Sequence, residues 1–385
     1  MTRDHARIMV SGMIAAQPGQ GGATWAVLQY LLGLRRLGHE VSFVEVLRPS
    51  DLSPDGGPFE QTINVRYFER TMRDFGFADR SALLLKNSRL SAGLPYARAQ
   101  AFARQTDVLI NLSGALADAD LLQSIPVRVY VDLDPGFTQA WHAQGIDVRL
   151  EGHTHYATVG LGLGQPECSV PGCDREWLTT LQPVALEYWP TCRAVISRGF
   201  TTVANWRGYG SIEHNGVFYG QKAHSVREYI DLPTLTREDF LLALAIHADE
   251  RKDIAALRAN GWITVDPRDV ASDPGAYQRF IQGSRAELGI AKQGYVAART
   301  GWFSDRSICY LASGRPVLAQ DTGFSRFLPT GEGLLAFSTT QEALAGIDTL
   351  NADYARHARA ARSIAEEYFD SDIVLARLMR LLRAG

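Results

Sequence analysis

Apolar residues in this chain come in short runs, separated by glycine-rich breaks and stretches with helical repeat. Ile8 to Val10 is one such run and reads as a short buried strand. SGMIAAQPGQGGATW follows as a glycine-rich loop. From Trp25 to Leu37 the apolar positions Val27, Leu28, Leu31, Leu32 and Leu34 recur at helical spacing. Gly38 stops that helix, and His39-Glu40 leads into a strand from Val41 to Val46. Asp107 to Leu112 and Val127 to Leu133 are two further apolar runs of strand length.

The second half repeats the scheme. Phe200 to Asn205 opens a new block, and Phe240 to His247 is a strand by its apolar run. Ala255 to Asn260, Gly261 and Trp262 to Val265 make a helix, a glycine stop and a strand. Pro274 to Ser284 reads as a helix, and Gly333 to Phe337 as a strand. Thr339 to Leu350 and Tyr354 to Phe369 are amphipathic helices, and Ile373 to Leu382 is a last helix. Between the halves, residues 151 to 190 are rich in Gly, Pro, Cys and His and read as an active-site loop followed by a linker. Strand, loop, helix and strand in this order open a Rossmann-like domain, so the pattern predicts two such α/β domains.

A chain of 385 residues is too long for one core and suits two. Net charge is −3 and no Lys- or Arg-rich run is present, which argues against nucleic acid as a partner. No apolar run reaches the length of a membrane span. The N-terminus does not have the form of a signal peptide. Four cysteines do not make a disulfide framework. Together these features predict a cytoplasmic protein.

The stretch from Thr300 to Gly323, TGWFSDRSICYLASGRPVLAQDTG, carries the most chemistry. Ser304 and Asp305 are N-cap candidates for a helix running to Ser313. Gly314 ends it, and Pro316 to Ala319 is a short strand leading to Gln320, Asp321, Thr322 and Gly323. Unpaired N–H groups and the helix dipole at such a start attract a phosphate. This arrangement resembles the donor-binding region of GT-B glycosyltransferases, and LRRLGHEVSFVE resembles the step that opens many of their chains. The group it is most similar to includes CgeB-like proteins and family-4-like bacterial enzymes.

The resemblance implies two Rossmann-like domains facing a cleft. The acceptor domain would span residues 1–185 and the nucleotide-sugar domain 186–365, with a terminal helix, 366–385, returning to the first. It places the donor diphosphate over the start of the helix at Ser304, with Lys222, Asp305 and Arg306 around it. Trp302 would stack on the base or line the sugar pocket, and the Gln320 to Gly323 turn would meet sugar hydroxyls. The two-glutamate E-x7-E motif of one retaining family is missing: Ser304, Asp305 and Arg306 stand where its second Glu would fall. Glu287, Lys292 and Arg299 add charge just upstream.

Other residues leave alternatives open. Gly19, Gly21 and Gly22 precede the first helix and would let the backbone approach a ligand, but G-x-G-G is not a dinucleotide fingerprint. Glu45 lies only near the position where that fingerprint keeps its acid. Asp132-Leu133-Asp134 matches the D-x-D of metal-dependent transferases, yet the GT-B resemblance argues for a metal-independent reaction. The pair would then act as base or bind acceptor hydroxyls. His153, beside Glu151 and His155, is a second candidate base, because imidazole titrates near neutrality. With Cys168 and Cys173 these histidines suggest zinc, but the spacing fits no standard site.

The expected activity is transfer of a sugar from a nucleotide-diphosphate sugar to a hydroxyl on a small molecule, glycan or natural product. No cofactor is expected beyond the donor itself. The rival readings are a GT-B-fold nucleotide-sugar epimerase and a silent scaffold that binds a sugar nucleotide.

Overall fold

The structure, a computed structural model, describes residues 5–54, 57–192 and 194–384. The first domain holds β1 (Arg7–Ser11), β2 (Glu40–Leu47), β3 (Ser81–Leu85), β4 (Ser91–Gly93), β5 (Val108–Leu112), β6 (Val127–Asp132), β7 (His155–Thr158) and β8 (Trp177–Thr179). They form one sheet in the order β4-β3-β2-β1-β5-β6-β7-β8. Only β4 is antiparallel to its neighbour. The second domain holds β9 (Ser197–Asn205), a hairpin of β10 (Ile212–His214) and β11 (Val217–Tyr219), then β12 (Phe240–Ala245), β13 (Ile263–Val265), β14 (Ser284–Gly289), β15 (Val317–Gln320) and β16 (Leu334–Phe337). Its main sheet runs β13-β12-β9-β14-β15-β16, all parallel.

Helices cover both faces of a parallel sheet, so its strands are apolar on both sides. VLINL in β5 is buried at every position, as is VLAQ in β15. Each sheet reverses its strand order once, between β1 and β5 in the first and between β9 and β14 in the second. At such a switch point the loops beyond the strand ends diverge and leave a crevice, which is where open α/β folds bind ligands.

The first helix, Gly21–Arg36, is the stem between the domains. Its Trp25 indole donates to Pro274 O at 2.8 Å, and Gly21 N donates to Ala271 O at 2.8 Å. The last helix, Ser371–Ala384, packs on its other end; a Cβ on Gly33 would lie 2.5 Å from that of Ser371. On the far side of β6, Gly162 N donates to Thr300 O at 2.8 Å, and Gly160 bridges to Trp302. The two domains therefore meet on both sides of the cleft.

Two expectations change. Residues 151 to 190 are not all loop, since HYAT and WLT add β7 and β8 at the sheet edge. Both are too short for their pattern to show in sequence. The helix expected from Tyr354 to Phe369 is α-helical only to Ile364 and widens to a π turn over Ala365–Phe369.

Candidate functional site

A small recess opens at the switch point of the second sheet, lined by Gly289, Ile290, Trp302, Ser304, Arg306 and Gln320 among others. The helix Asp305–Ala312 starts at its edge, and the Ser304 hydroxyl caps it by accepting from Arg306 N at 3.2 Å. Arg306 turns its guanidinium in toward the sheet because Glu287, on β14, is fully buried and needs a counter-charge. The two meet at 2.5 Å, with side chains 11% and 0% exposed. Arg306 also donates to Val203 O at 3.0 Å. Burial works against the Arg306 charge, but Glu287 outweighs it and holds the pKa above the usual arginine value.

Lys222 opens the helix Lys222–Glu228 and points its ammonium at Ile290 O. Burial, then the Arg306 and Lys292 cations, push its pKa well below the ordinary lysine value, with Glu287 only partly offsetting them. Lys222 and Arg306 thus reach the same side of the second sheet, near the start of the helix Asp305–Ala312.

Across the cleft, Asp134 stands two residues past β6. Lys292 pairs with it at 3.0 Å, and the hydroxyls of Tyr209 and Tyr295 both donate to it. The Lys292 ammonium sits over the rings of Tyr209 at 4.2 Å and of Phe137 and Tyr295 at 5.1 Å. Burial first, and then the Asp134 charge, raise both tyrosines well above 10, so they remain O–H donors. Trp302 stacks on Tyr295 at 4.4 Å and joins this cluster to the recess.

The other sequence candidates hold the scaffold. Gln320 accepts from Ala291 N at 3.1 Å and is buried. Asp321 accepts from Gly323 N, Ser325 N and the Ser325 hydroxyl, while Thr322 donates to Trp302 O at 2.5 Å. Gly323, at φ 95°, completes that turn. Asp305 lines a second cavity with Gly22, Trp25, Gln29 and Tyr277 at the interdomain seam, and burial raises its carboxyl.

Asp132 differs from the expectation of a base. Its carboxylate is fully buried and accepts from Thr138, Gln139, Thr158 and Asp134 N, so it shapes the turn that carries Asp134. His153 is likewise occupied. Its Nδ1 meets Leu150 O at 3.1 Å and its Nε2 meets the Asn111 amide at 3.0 Å, which assigns the proton to Nδ1. Burial lowers its pKa, and both nitrogens are engaged within the first domain. Among the described residues no three His, Cys, Asp or Glu side chains converge as metal ligands would.

The glycine loop also differs from expectation. Its N–H groups at Ile14, Ala15 and Ala16 donate to Glu45 at 3.0, 2.8 and 2.7 Å. An internal carboxylate, 1% exposed, thus takes the place of an external anion there. Gly21 and Gly22 serve close packing of the domains: added Cβ atoms would lie 2.3 Å from Asp273 O and 2.9 Å from the Tyr277 ring. Gly19, at φ 83°, faces open space.

The structure therefore brings Lys222, Trp302, Ser304, Arg306 and Asp134 to one region. It engages Asp132 and His153 within the first domain and sets Gly21 and Gly22 into packing. Tyr209, Tyr295 and Phe137 were missed because they reach the cleft from three separate loops and helices. The Glu45 clamp had one signal, a lone acid inside the apolar run VSFVEVL.

No protein-family model matches the chain, and no curated protein does. Solved structures do, along its whole length. An alpha-glucosyltransferase in complex with UDP-glucose and DNA containing an abasic site matches at TM-score 0.61 and 12% identity, covering 98% of this chain and 100% of that one. HepE from Anabaena, in complex with UDP and glucose, matches at TM-score 0.58 and 12% identity, covering 99% and 100%. AviGT4, a glycosyltransferase involved in avilamycin A biosynthesis, matches at TM-score 0.54 and 14% identity, covering 98% and 97%. The fold is the one these GT-B glycosyltransferases share: two Rossmann-like domains across a cleft. No helix among the described residues is long and apolar enough to cross a membrane.

Proposed function

We propose that this chain transfers a sugar from a nucleotide-diphosphate sugar to a hydroxyl acceptor without a metal ion. The observation that carries the reading is the recess at the switch point of the second sheet, where the helix Asp305–Ala312 starts beside Arg306 and Lys222 reaches the carbonyl of Ile290 on the rim. As the bond from the anomeric carbon to the diphosphate oxygen breaks, negative charge collects on the leaving phosphate. Fixed cations and N–H groups in a crevice shielded from water stabilise that charge most. Lys222 is the group best placed for this, because a dianion restores the charge that burial and its cationic neighbours disfavour. Ser304 fixes the helix start, and Trp302 walls the sugar side. The first domain supplies the acceptor side, and contact across the cleft keeps water out, so that transfer outruns hydrolysis.

Calorimetry with UDP, GDP, TDP and ADP, with and without Mg²⁺, tests the reading. One nucleotide should bind without metal, and Lys222→Met should weaken it by about tenfold or more. Binding that needs Mg²⁺ would overturn metal independence. No binding of any nucleotide would overturn the donor site.

A further inference from the structure

We propose that Asp134 is a resident anion: in the nucleotide-free protein its carboxylate holds Lys292 in place of the donor's diphosphate, and the donor must displace it. The inference rests on the donor site proposed above. Lys292 lies two residues beyond Ile290, which lines the recess and whose carbonyl receives Lys222. Its partner Asp134 comes from the opposite domain. Every partner of the Asp134 side chain in the cluster is a donor: Lys292 at 3.0 and 3.1 Å and the hydroxyls of Tyr209 and Tyr295. A carboxylate so surrounded is saturated, and it presents the oxygens that a phosphate would present.

The cage also ties the domains together. Asp134 and Phe137 belong to the first domain, whereas Tyr209, Lys292 and Tyr295 belong to the second. Phe137 packs edge-on against Tyr209 and Tyr295, at 5.1 and 5.6 Å between ring centres. The pair is only partly exposed, at 22% and 23%, so solvent screens it weakly. A ligand that takes Lys292 from Asp134 therefore works against an existing ion pair and a domain contact, and its apparent affinity falls by that competition. Displacement also frees the Asp134 carboxylate at the cleft. The contact is self-inhibition that the correct donor relieves.

The test is calorimetric binding of UDP and of inorganic pyrophosphate to wild type, Asp134→Asn and Tyr209→Phe, with folding of each checked by circular dichroism. Asp134→Asn keeps the size of the side chain and removes the charge. It should bind both probes tighter by about tenfold or more, and Tyr209→Phe should bind them about threefold tighter. Binding by wild type with equal or weaker binding by Asp134→Asn overturns the inference and leaves the donor site standing. Binding by the variant alone supports it. If neither probe binds wild type or Asp134→Asn, the inference is overturned, and the proposed function falls with it only if GDP, TDP and ADP fail to bind as well. If Asp134→Asn does not fold, Tyr209→Phe decides by the same comparison.

Discussion

Replacing Arg306 by Met removes a cation from the proposed donor site, but it also strips Glu287 of its counter-charge. Glu287 is 0% exposed, and one of its oxygens already lacks a hydrogen-bond partner among the described residues. Breaking one side of such a buried pair leaves a desolvated charge and costs about 3–5 kcal/mol. Arg306→Met alone should therefore destabilise the second domain by about that much. Glu287→Gln alone leaves the guanidinium with Val203 O and partial access to water, and should cost about 1–3 kcal/mol. The double variant should cost less than the two singles added, by about 2 kcal/mol or more, because no buried charge remains unpaired. Urea denaturation of the four proteins at one pH measures the cycle. If Arg306→Met costs as much in the Glu287→Gln background as in wild type, the pair is not coupled and the account of Arg306 is wrong. A loss of nucleotide binding in the single Arg306 variant is informative only beside the double variant, which separates a lost phosphate contact from a damaged fold.

Three further outcomes follow from the same structure. Nucleotide binding should be linked to proton uptake in the pH range where Lys222 titrates, because a dianion raises its depressed pKa; binding enthalpies that are the same in buffers of different ionisation heat at every pH tested would contradict this. Burial, opposed by three N–H donors, raises Glu45 from 4.5 to about 7. Its contribution to stability is then complete below pH 4.5 and lost as pH rises through 7, by about 3 kcal/mol; wild type should lose stability relative to Glu45→Gln between pH 5 and 8, and parallel denaturation profiles would refute it. Gly301 has φ 69° and a would-be Cβ 2.5 Å from Gly162 N, whereas Gly216, at φ 76°, faces open space. Gly301→Ala should cost about 2 kcal/mol more than Gly216→Ala in urea denaturation, because both carry the same backbone strain and only the first meets backbone of the other domain; equal losses would show that the domain seam yields at no cost.

Much of the fold was legible because it depends on local pattern. Buried parallel strands are continuous apolar runs, helices carry their own period, and glycines mark the stops. This placed β1, β2, β5, β6, β9, β12, β13, β15 and β16 within a few residues of their observed ends, whereas β3, β4, the β10-β11 hairpin and the central strand β14, whose SRAELG carries two charges, do not stand out in the pattern. β7 and β8 escaped because three or four residues on a sheet edge show no period. The helix start at Ser304 was legible for a similar reason, since a cap acts within three residues.

Roles that depend on distant partners were not legible. Asp132 and Asp134 are two residues apart in sequence, but one lies in a ring of its own domain's hydroxyls and amides while the other reaches the opposite domain. His153 looked like a base until Leu150 and Asn111 took both its nitrogens. The glycine loop looked ready for an anion until Glu45, about thirty residues on, supplied one. Sequence alone determined the two α/β domains, their breaks and the helix that faces the crevice, because periodicity, glycine stops and caps act over one or two turns. Only the tertiary structure decided which charges are free to meet a ligand, because burial and pairing depend on groups brought together from segments far apart in the chain.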